Sequence, residues 1–103
     1  MLVAFREVEI RVRVATKLSD TVIGVDLMRR AFAVPDGPLT DRTLPKAEQE
    51  ATSNLLAGAI GLFKNPSSHR ERVRTPEEAA GLILFANVLL QVVARLAESR
   101  LAE

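Results

Sequence analysis

The chain contains no cysteine, no tryptophan and no tyrosine, and its only aromatic residues are four phenylalanines. The lack of cysteine excludes disulfide bonds, thiolate metal sites and cysteine nucleophiles. Aromatic residues make up 4% of the sequence and hydrophobic residues 48%, and so aliphatic a composition is more typical of packed helices than of a β-sandwich. For a chain of 103 residues we expect one domain, 1–103, with a single core.

The chain also lacks a large net charge and an uninterrupted membrane-spanning run. Because its formal net charge is +1, nucleic-acid binding would depend on local clusters, namely Arg29-Arg30 and Arg70, Arg72 and Arg74. The apolar stretch 79–94 contains Asn87 and Gln91 and is shorter than the roughly 20 residues that a spanning helix needs. We therefore expect no membrane association and, without a signal peptide, a cytoplasmic protein.

The stretch REVEIRVRV, residues 6–14, has two competing interpretations. Its alternation of polar and apolar side chains favours a half-buried strand. However, Glu7 with Arg11 and Glu9 with Arg13 have the i,i+4 spacing and order that stabilise a helix, and no clear second strand exists to pair with this one. We therefore predict a helix over 3–18. Its inward face would consist of Phe5, Val8, Val12 and Ala15, and its solvated face of Glu9, Arg13 and Lys17.

Capping and turn residues divide the rest of the chain into three further helices. Residues 19–21, Ser-Asp-Thr, are candidate caps for a helix over 22–33. A loop over 35–45, rich in Pro, Gly and Asp, precedes a helix over 46–63, and a loop of that length is expected to be functional or mobile. Thr75 as a cap and Pro76 at the first helical position begin a helix over 76–101. The predicted fold class is an all-α bundle of about four helices.

Two features indicate close packing against other backbones or subunits. Small residues are concentrated near the end of the third helix, where Gly58 and Gly61 each cost roughly 1 kcal/mol relative to alanine. Tight contact with another helix would offset that cost. The high apolar content of so short a chain further predicts that a partner subunit covers part of its surface.

The only histidine, His69, lies in the connection between the third and fourth helices, within GLFKNPSSHRER. Pro66 cannot continue the third helix, so Lys64 and Asn65 would lie at the C-terminal end of that helix. One interpretation is structural: Lys64 complements the helix dipole, Asn65 caps the helix, and His69 is an exposed loop residue.

The other interpretation is a site that cleaves RNA. Cleavage without a metal needs a group of near-neutral pKa to take the 2′-hydroxyl proton, and a cation to stabilise the charge that develops on the phosphate. His69 suits the first role, and Lys64 or Arg70 the second. The sequence has neither the carboxylate spacing of a two-metal nuclease nor the ligands of a zinc site, so we expect no metal and no cofactor. This cleavage needs both a base and an acid, and each chain has only one histidine, so a two-fold dimer would supply the second imidazole.

Four segments carry a resemblance to a known family: AFREVEIRVR, GVDLMRRAF, GAIGLFKNPSSHR and TPEEAAGLILFANVLL. Together they resemble the Ymh-like family of short bacterial and prophage proteins within the HEPN superfamily. The stretch Lys64-Asn65-Pro66-Ser67-Ser68-His69 is similar to the Arg-x4-6-His motif of that superfamily, with Lys64 at the arginine position. The resemblance covers nearly the whole chain and implies a HEPN-like domain that lacks an N-terminal helical segment usual in the family.

The resemblance also implies a function. HEPN enzymes are metal-independent endoribonucleases of toxin and antiphage systems, in which two motifs meet in a homodimer cleft. In this chain His69 would be the general base or acid, Asn65 would orient His69 or the phosphate, and Lys64 would stabilise charge. Arg70 would be a weaker substrate-binding residue, and an antitoxin protein a further partner. The alternatives are a non-catalytic HEPN module that binds RNA or a nucleotide, and a structural dimerisation or antitoxin-binding module.

Overall fold

The computed structural model describes residues 3–63 and 75–102. These residues form four helices, α1 (Val3–Thr16), α2 (Gly24–Ala31), α3 (Lys46–Phe63) and α4 (Pro76–Leu101), and no strand. The prediction of an all-α bundle is confirmed. Residues 6–14 lie within α1, so the strand interpretation of their alternating pattern is wrong.

Helix α1 is the central element, because it packs against each of the other three helices. Its Phe5, Val8 and Val12 are fully buried, as their i,i+3 and i,i+4 spacing predicts. Ala15 was expected on the same face but is exposed. The other helices contribute the rest of the core, chiefly Leu27, Met28, Leu56, Ile60, Ala86, Leu89 and Val93.

A buried charged pair joins α1 to the start of α2. Glu9 was expected on the solvated face but is 4% exposed, and its Oε2 lies 3.2 Å from Nη2 of Arg13. The same oxygen accepts a hydrogen bond from the backbone N–H of Gly24 at 3.4 Å. Arg13 Nη2 also donates to the carbonyl oxygen of Val22 at 2.6 Å. The pair is therefore a tertiary contact as well as an i,i+4 pair.

This contact explains why the predicted cap of α2 is wrong. The helix begins at Gly24, which has a φ of +60°, and its N-cap Ile23 provides no side-chain hydrogen bond. Ser19 and Thr21 instead bond to each other through their hydroxyls, 2.9 Å apart. A carboxylate near a helix N-terminus stabilises its free N–H groups, and Glu9 fills that role from α1.

The loop between α2 and α3 is a packed structural element. Its Leu39 and Thr40 are 1% and 3% exposed, and the Thr40 hydroxyl donates to the carbonyl of Ala33 at 2.6 Å. Arg100, near the end of α4, donates from Nη1 to the carbonyls of Gly37 and Thr40, each at 3.1 Å. The length of the loop therefore reflects packing and hydrogen bonding to its neighbours.

Helix α4 has 26 residues and leaves much of its surface exposed. By length and composition alone it could cross a membrane, with a mean hydropathy of 1.9 over an 18-residue window of which 17% is buried. Its buried Ala86, Leu89 and Val93 pack in the common core. Asn87, Gln91 and Arg95, spaced four residues apart in α4, are exposed.

Candidate functional site

The four predicted site residues, Lys64, Asn65, His69 and Arg70, lie outside the described residues, as do Arg72 and Arg74. What the structure describes here is the two helix ends on either side of this connection. One end is Phe63, the last residue of α3, and the other is Thr75, the residue before α4.

A cluster of three phenylalanines fixes the end of α3. The ring of Phe63 lies 5.2 Å from the ring of Phe5 in α1 and 6.2 Å from the ring of Phe85 in α4, and the rings of Phe5 and Phe85 are 6.0 Å apart. Each centroid distance is in the favourable range for aromatic pairs. The C-terminal end of α3 is thus held against two other helices at the residue before Lys64.

The other end of the connection begins α4 as predicted. Thr75 has an extended backbone and its hydroxyl accepts a hydrogen bond from the N–H of Glu78 at 3.1 Å, and Pro76 follows in the first turn. Glu77 and Glu78 also lie in that turn and complement the positive end of the helix dipole. Local capping residues therefore define where the histidine-containing connection ends.

The Arg29-Arg30 cluster has partners within the fold. Arg29 Nη1 donates to the hydroxyl of Ser53 at 3.0 Å and to Oδ1 of Asn54 at 2.7 Å, which ties α2 to α3. Arg30 forms an exposed ion pair with Asp26, one turn earlier in α2, at 3.3 Å. These contacts give both arginines a structural role and weaken the case that they form an RNA-binding cluster.

Within residues 3–63 and 75–102, no group of three or more His, Asp or Glu side chains could hold a metal ion. The sequence did not indicate any of the four polar residues that are buried in the described part of the chain, which include Glu9 and Gln49 at 4% and 6% exposure. The position of Glu9 one residue after Val8 gave a weak signal, because it borders the apolar face of α1. Gln49 gave none, since its partners are backbone carbonyls of the preceding loop.

Large apolar side chains are exposed near the aromatic cluster. In α4 they are Ile83, Leu84 and Val88, at 47%, 66% and 51% exposure, and we call these three residues the α4 face. Leu62, next to Phe63, is 62% exposed. Glycines also lie on open surface: a Cβ added at Gly58 or Gly81 would meet nothing within 4 Å, whereas one at Gly61 would lie 3.0 Å from Val25. The predicted close packing is therefore found at Gly61 and not at Gly58.

The fold is that of a small helical bundle whose two longest helices are joined by the histidine-containing connection. Residues 1–93 match the model of a family described as a protein of unknown function, Hypoth_ymh. The chain belongs to the Hypoth_ymh family, which agrees with the Ymh-like resemblance of its four segments. No curated protein and no solved structure matches the chain.

Proposed function

We propose that this member of the Hypoth_ymh family is a HEPN-type, metal-independent endoribonuclease of a toxin or antiphage system. The observation that supports this most is the phenylalanine cluster, which fixes the end of α3 at the residue before the motif Lys64-Asn65-Pro66-Ser67-Ser68-His69. A catalytic group must be held by its surroundings to act efficiently. A helix end packed against two other helices supports the proposal, because it gives the chain a fixed position at Phe63, before the motif begins.

In this proposal His69 is the general base or acid, and Lys64 stabilises the negative charge that develops on the phosphate. Asn65 orients His69 or the phosphate, and Arg70 contributes a further cation. Lysine keeps the charge of the arginine usual in the motif but loses its bidentate contact with a phosphate. The reaction is attack by the neighbouring 2′-hydroxyl on the phosphate, which releases a 5′-hydroxyl strand and leaves a 2′,3′-cyclic phosphate.

The proposal places the protein in the cytoplasm as a homodimer. The dimer is needed because one histidine cannot serve as both base and acid in the same step. The α4 face supports a dimer, since two turns of one helix expose three large aliphatic side chains and exposed apolar patches commonly mark interfaces. Leu62, next to Phe63 in α3, is a further exposed apolar residue close in sequence to the motif. Pairing through this surface would bring the two connections to the same interface.

The decisive experiment compares the unmodified protein with His69→Ala on a structureless RNA in the presence of EDTA. We expect cleavage by the unmodified protein, products that carry a 2′,3′-cyclic phosphate, and a loss of about a hundred-fold to ten-thousand-fold in the variant. Lys64→Arg should maintain or raise the rate, and Asn65→Ala should lower it to an intermediate level. Lys46→Arg, at an exposed lysine in the first turn of α3, is the control and should not change it. Equal rates for the unmodified protein and His69→Ala, or no cleavage by either, would contradict the proposal.

The dimer is tested separately by light scattering. Leu84→Glu, in the α4 face, should convert the dimer to a monomer and remove cleavage. Leu101→Glu is a matched control at a leucine of the same helix that is 88% exposed, and it should leave both properties unchanged. A protein that is monomeric at micromolar concentration but cleaves RNA would contradict the composite site.

A second candidate function is a structural module that assembles through α4 without catalysis. The exposed apolar surface favours it, because that surface needs a covering partner whether or not the chain cleaves RNA. A dimer that Leu84→Glu disrupts, together with no cleavage under any condition, would support this function.

A further inference from the structure

A groove separate from the aromatic cluster lies between α3, α4 and the loop that connects α2 to α3. Its volume is about 350 Å³, and its apolar walls are formed by Leu44, Leu55, Val92 and Leu96. Pockets that bind small molecules usually have volumes of about 300 to 1,000 Å³ and mainly apolar walls with a few polar groups. The groove therefore has the size and composition of a small-ligand site.

A small chamber adjoins this groove and shares four of its wall residues, Asp41, Leu44, Thr52 and Leu96. The chamber has a volume of about 10 Å³, which is close to the space that one water-sized group occupies. Gln49 lines the chamber but not the outer groove. A hydroxyl or amino group at the inner end of a ligand would be small enough for this space.

Gln49 presents a buried hydrogen-bond acceptor at the chamber. Its Nε2 donates to the carbonyl oxygens of Asp41 and Leu44, each at 3.1 Å. Carbonyl oxygens only accept hydrogen bonds, so these two contacts fix which end of the amide is nitrogen. The remaining atom, Oε1, is buried and has no hydrogen-bond partner among the described residues. Leaving such an acceptor unsatisfied is unfavourable, and a donor placed in the chamber would remove that cost.

The groove has a cation, Arg95, at a different place from the buried acceptor of Gln49. Arg95 lines the outer groove only, is exposed, and forms no ion pair with any residue in the described part of the chain. Gln49 Oε1 places an acceptor at the chamber, and Arg95 places a cation in the groove, which Asp41 also lines. A ligand that matches this order has a hydrogen-bond donor at one end and an anionic group at the other.

We propose that the groove binds a small amphipathic anion with an aliphatic body. Its hydroxyl or N–H group enters the chamber and donates to Gln49 Oε1. Its body contacts the leucines and Val92, and its carboxylate or phosphate pairs with Arg95. The site is independent of the proposed ribonuclease activity.

The test uses 10-hydroxydecanoate and decanoate, which differ only in the terminal hydroxyl, as probes in ¹⁵N–¹H NMR titrations of the unmodified protein. We expect 10-hydroxydecanoate to bind at least about tenfold more tightly, because only its hydroxyl satisfies the buried acceptor. The resonances that shift should include the side-chain amide of Gln49 and the backbone amides of Leu55 and Leu96. Equal or tighter binding of decanoate, or shifts centred on Leu84 and Val88, would overturn the proposal in favour of contact with the exposed α4 face.

Two matched pairs of variants sharpen the test. Val92→Phe fills the groove, whereas Val3→Phe adds the same bulk at the start of α1, where Val3 is 79% exposed and lies outside the groove lining. Arg95→Gln removes the cation, whereas Arg11→Gln removes an arginine from a different groove of about 280 Å³ between α1 and α4. We expect the first member of each pair to weaken binding of 10-hydroxydecanoate by about tenfold and the second to leave it unchanged. Equal losses within each pair would overturn the proposed site. The chemical-shift changes of the unmodified protein test the proposal even where a variant does not fold.

Discussion

Replacing Glu9 by glutamine tests whether the buried pair of α1 holds the start of α2. Glutamine keeps the shape of the side chain and removes its charge. Oε2 of Glu9 lies 3.2 Å from Arg13 Nη2 and 3.4 Å from the N–H of Gly24, and the substitution weakens both contacts. It also leaves the guanidinium of Arg13 without its opposite charge.

The expected cost follows from the exposure of the two side chains. Breaking a fully buried ion pair by removing one partner costs about 3–5 kcal/mol. The side chain of Glu9 is 6% exposed but that of Arg13 is 24% exposed, and Arg13 keeps its hydrogen bond to Val22. We therefore expect Glu9→Gln to lower the free energy of unfolding by about 2 kcal/mol, the partial exposure of Arg13 being the reason for the smaller value.

The chain provides a control of identical spacing in the same helix. Glu7 and Arg11 are also four residues apart, but their side chains are 42% and 66% exposed. Exposed pairs of this kind contribute about 0.3–0.5 kcal/mol, so Glu7→Gln should have little effect. The two variants share the substitution and the loss of one charge, and they differ in burial and in the contact with α2.

Urea unfolding followed by circular dichroism measures the difference, and all proteins must be at one concentration because the proposed dimer would make stability depend on concentration. A loss of about 2 kcal/mol corresponds to a decrease of roughly 10 °C in Tm for a domain of this size. Similar losses for Glu9→Gln and Glu7→Gln would refute the reasoning, since burial would then not distinguish the two pairs.

Two further predictions concern the loop between α2 and α3. Gly37→Ala should lower the free energy of unfolding by about 2–3 kcal/mol, because the added Cβ would lie 2.4 Å from the backbone nitrogen of Ala33. Gly58→Ala in α3 is the control: its Cβ has open space, so it should raise the free energy of unfolding by up to about 1 kcal/mol. A similar loss of stability in both variants, measured by urea unfolding, would contradict the packing argument. The side chain of Thr43, and to a lesser extent its backbone N–H, donates hydrogen bonds that lower the pKa of Asp41 below its ordinary value of 3.8. These hydrogen bonds should therefore stabilise the fold above pH 3.8, and their contribution should be lost as the pH falls through the lowered pKa. Thr43→Val should therefore destabilise the protein near neutral pH and match the unmodified protein in strong acid, and a difference that persists at about pH 2 would count against this prediction.

The helix boundaries show how far local sequence signals reach. The predicted limits of α3 and α4, 46–63 and 76–101, are confirmed. Both helices have local start signals, since Pro45 precedes α3 and Thr75 and Pro76 begin α4. The predicted limits of α1 and α2 were too wide. Helix α1 ends at Thr16 because Lys17 adopts a φ of +57°, and α2 begins at Gly24 beside the carboxylate of Glu9. A contact across 15 residues is not visible in a local pattern.

In the candidate site, too, local features could be predicted from the sequence and contacts between distant residues could not. Thr75 and Pro76 could be predicted as the start of α4 because a cap and the residue after it are neighbours in sequence. The cluster of Phe5, Phe63 and Phe85 could not, since its members come from three helices. The partners of Arg29 were also hidden, because Ser53 and Asn54 follow it by 24 and 25 residues. The roles of Lys64, Asn65, His69 and Arg70 remain predictions of the sequence and of the family resemblance.

The hydrogen bonds of Arg100 have a consequence for the order in which the molecule assembles. They join residues 63 and 60 positions apart, and contacts of such long range require the closure of most of the chain before they form. We therefore expect Arg100 to contribute mainly after the rate-limiting step of folding. Interactions that are absent from the transition state slow unfolding without speeding folding, so the last turn of α4 should govern how long the native bundle persists once formed.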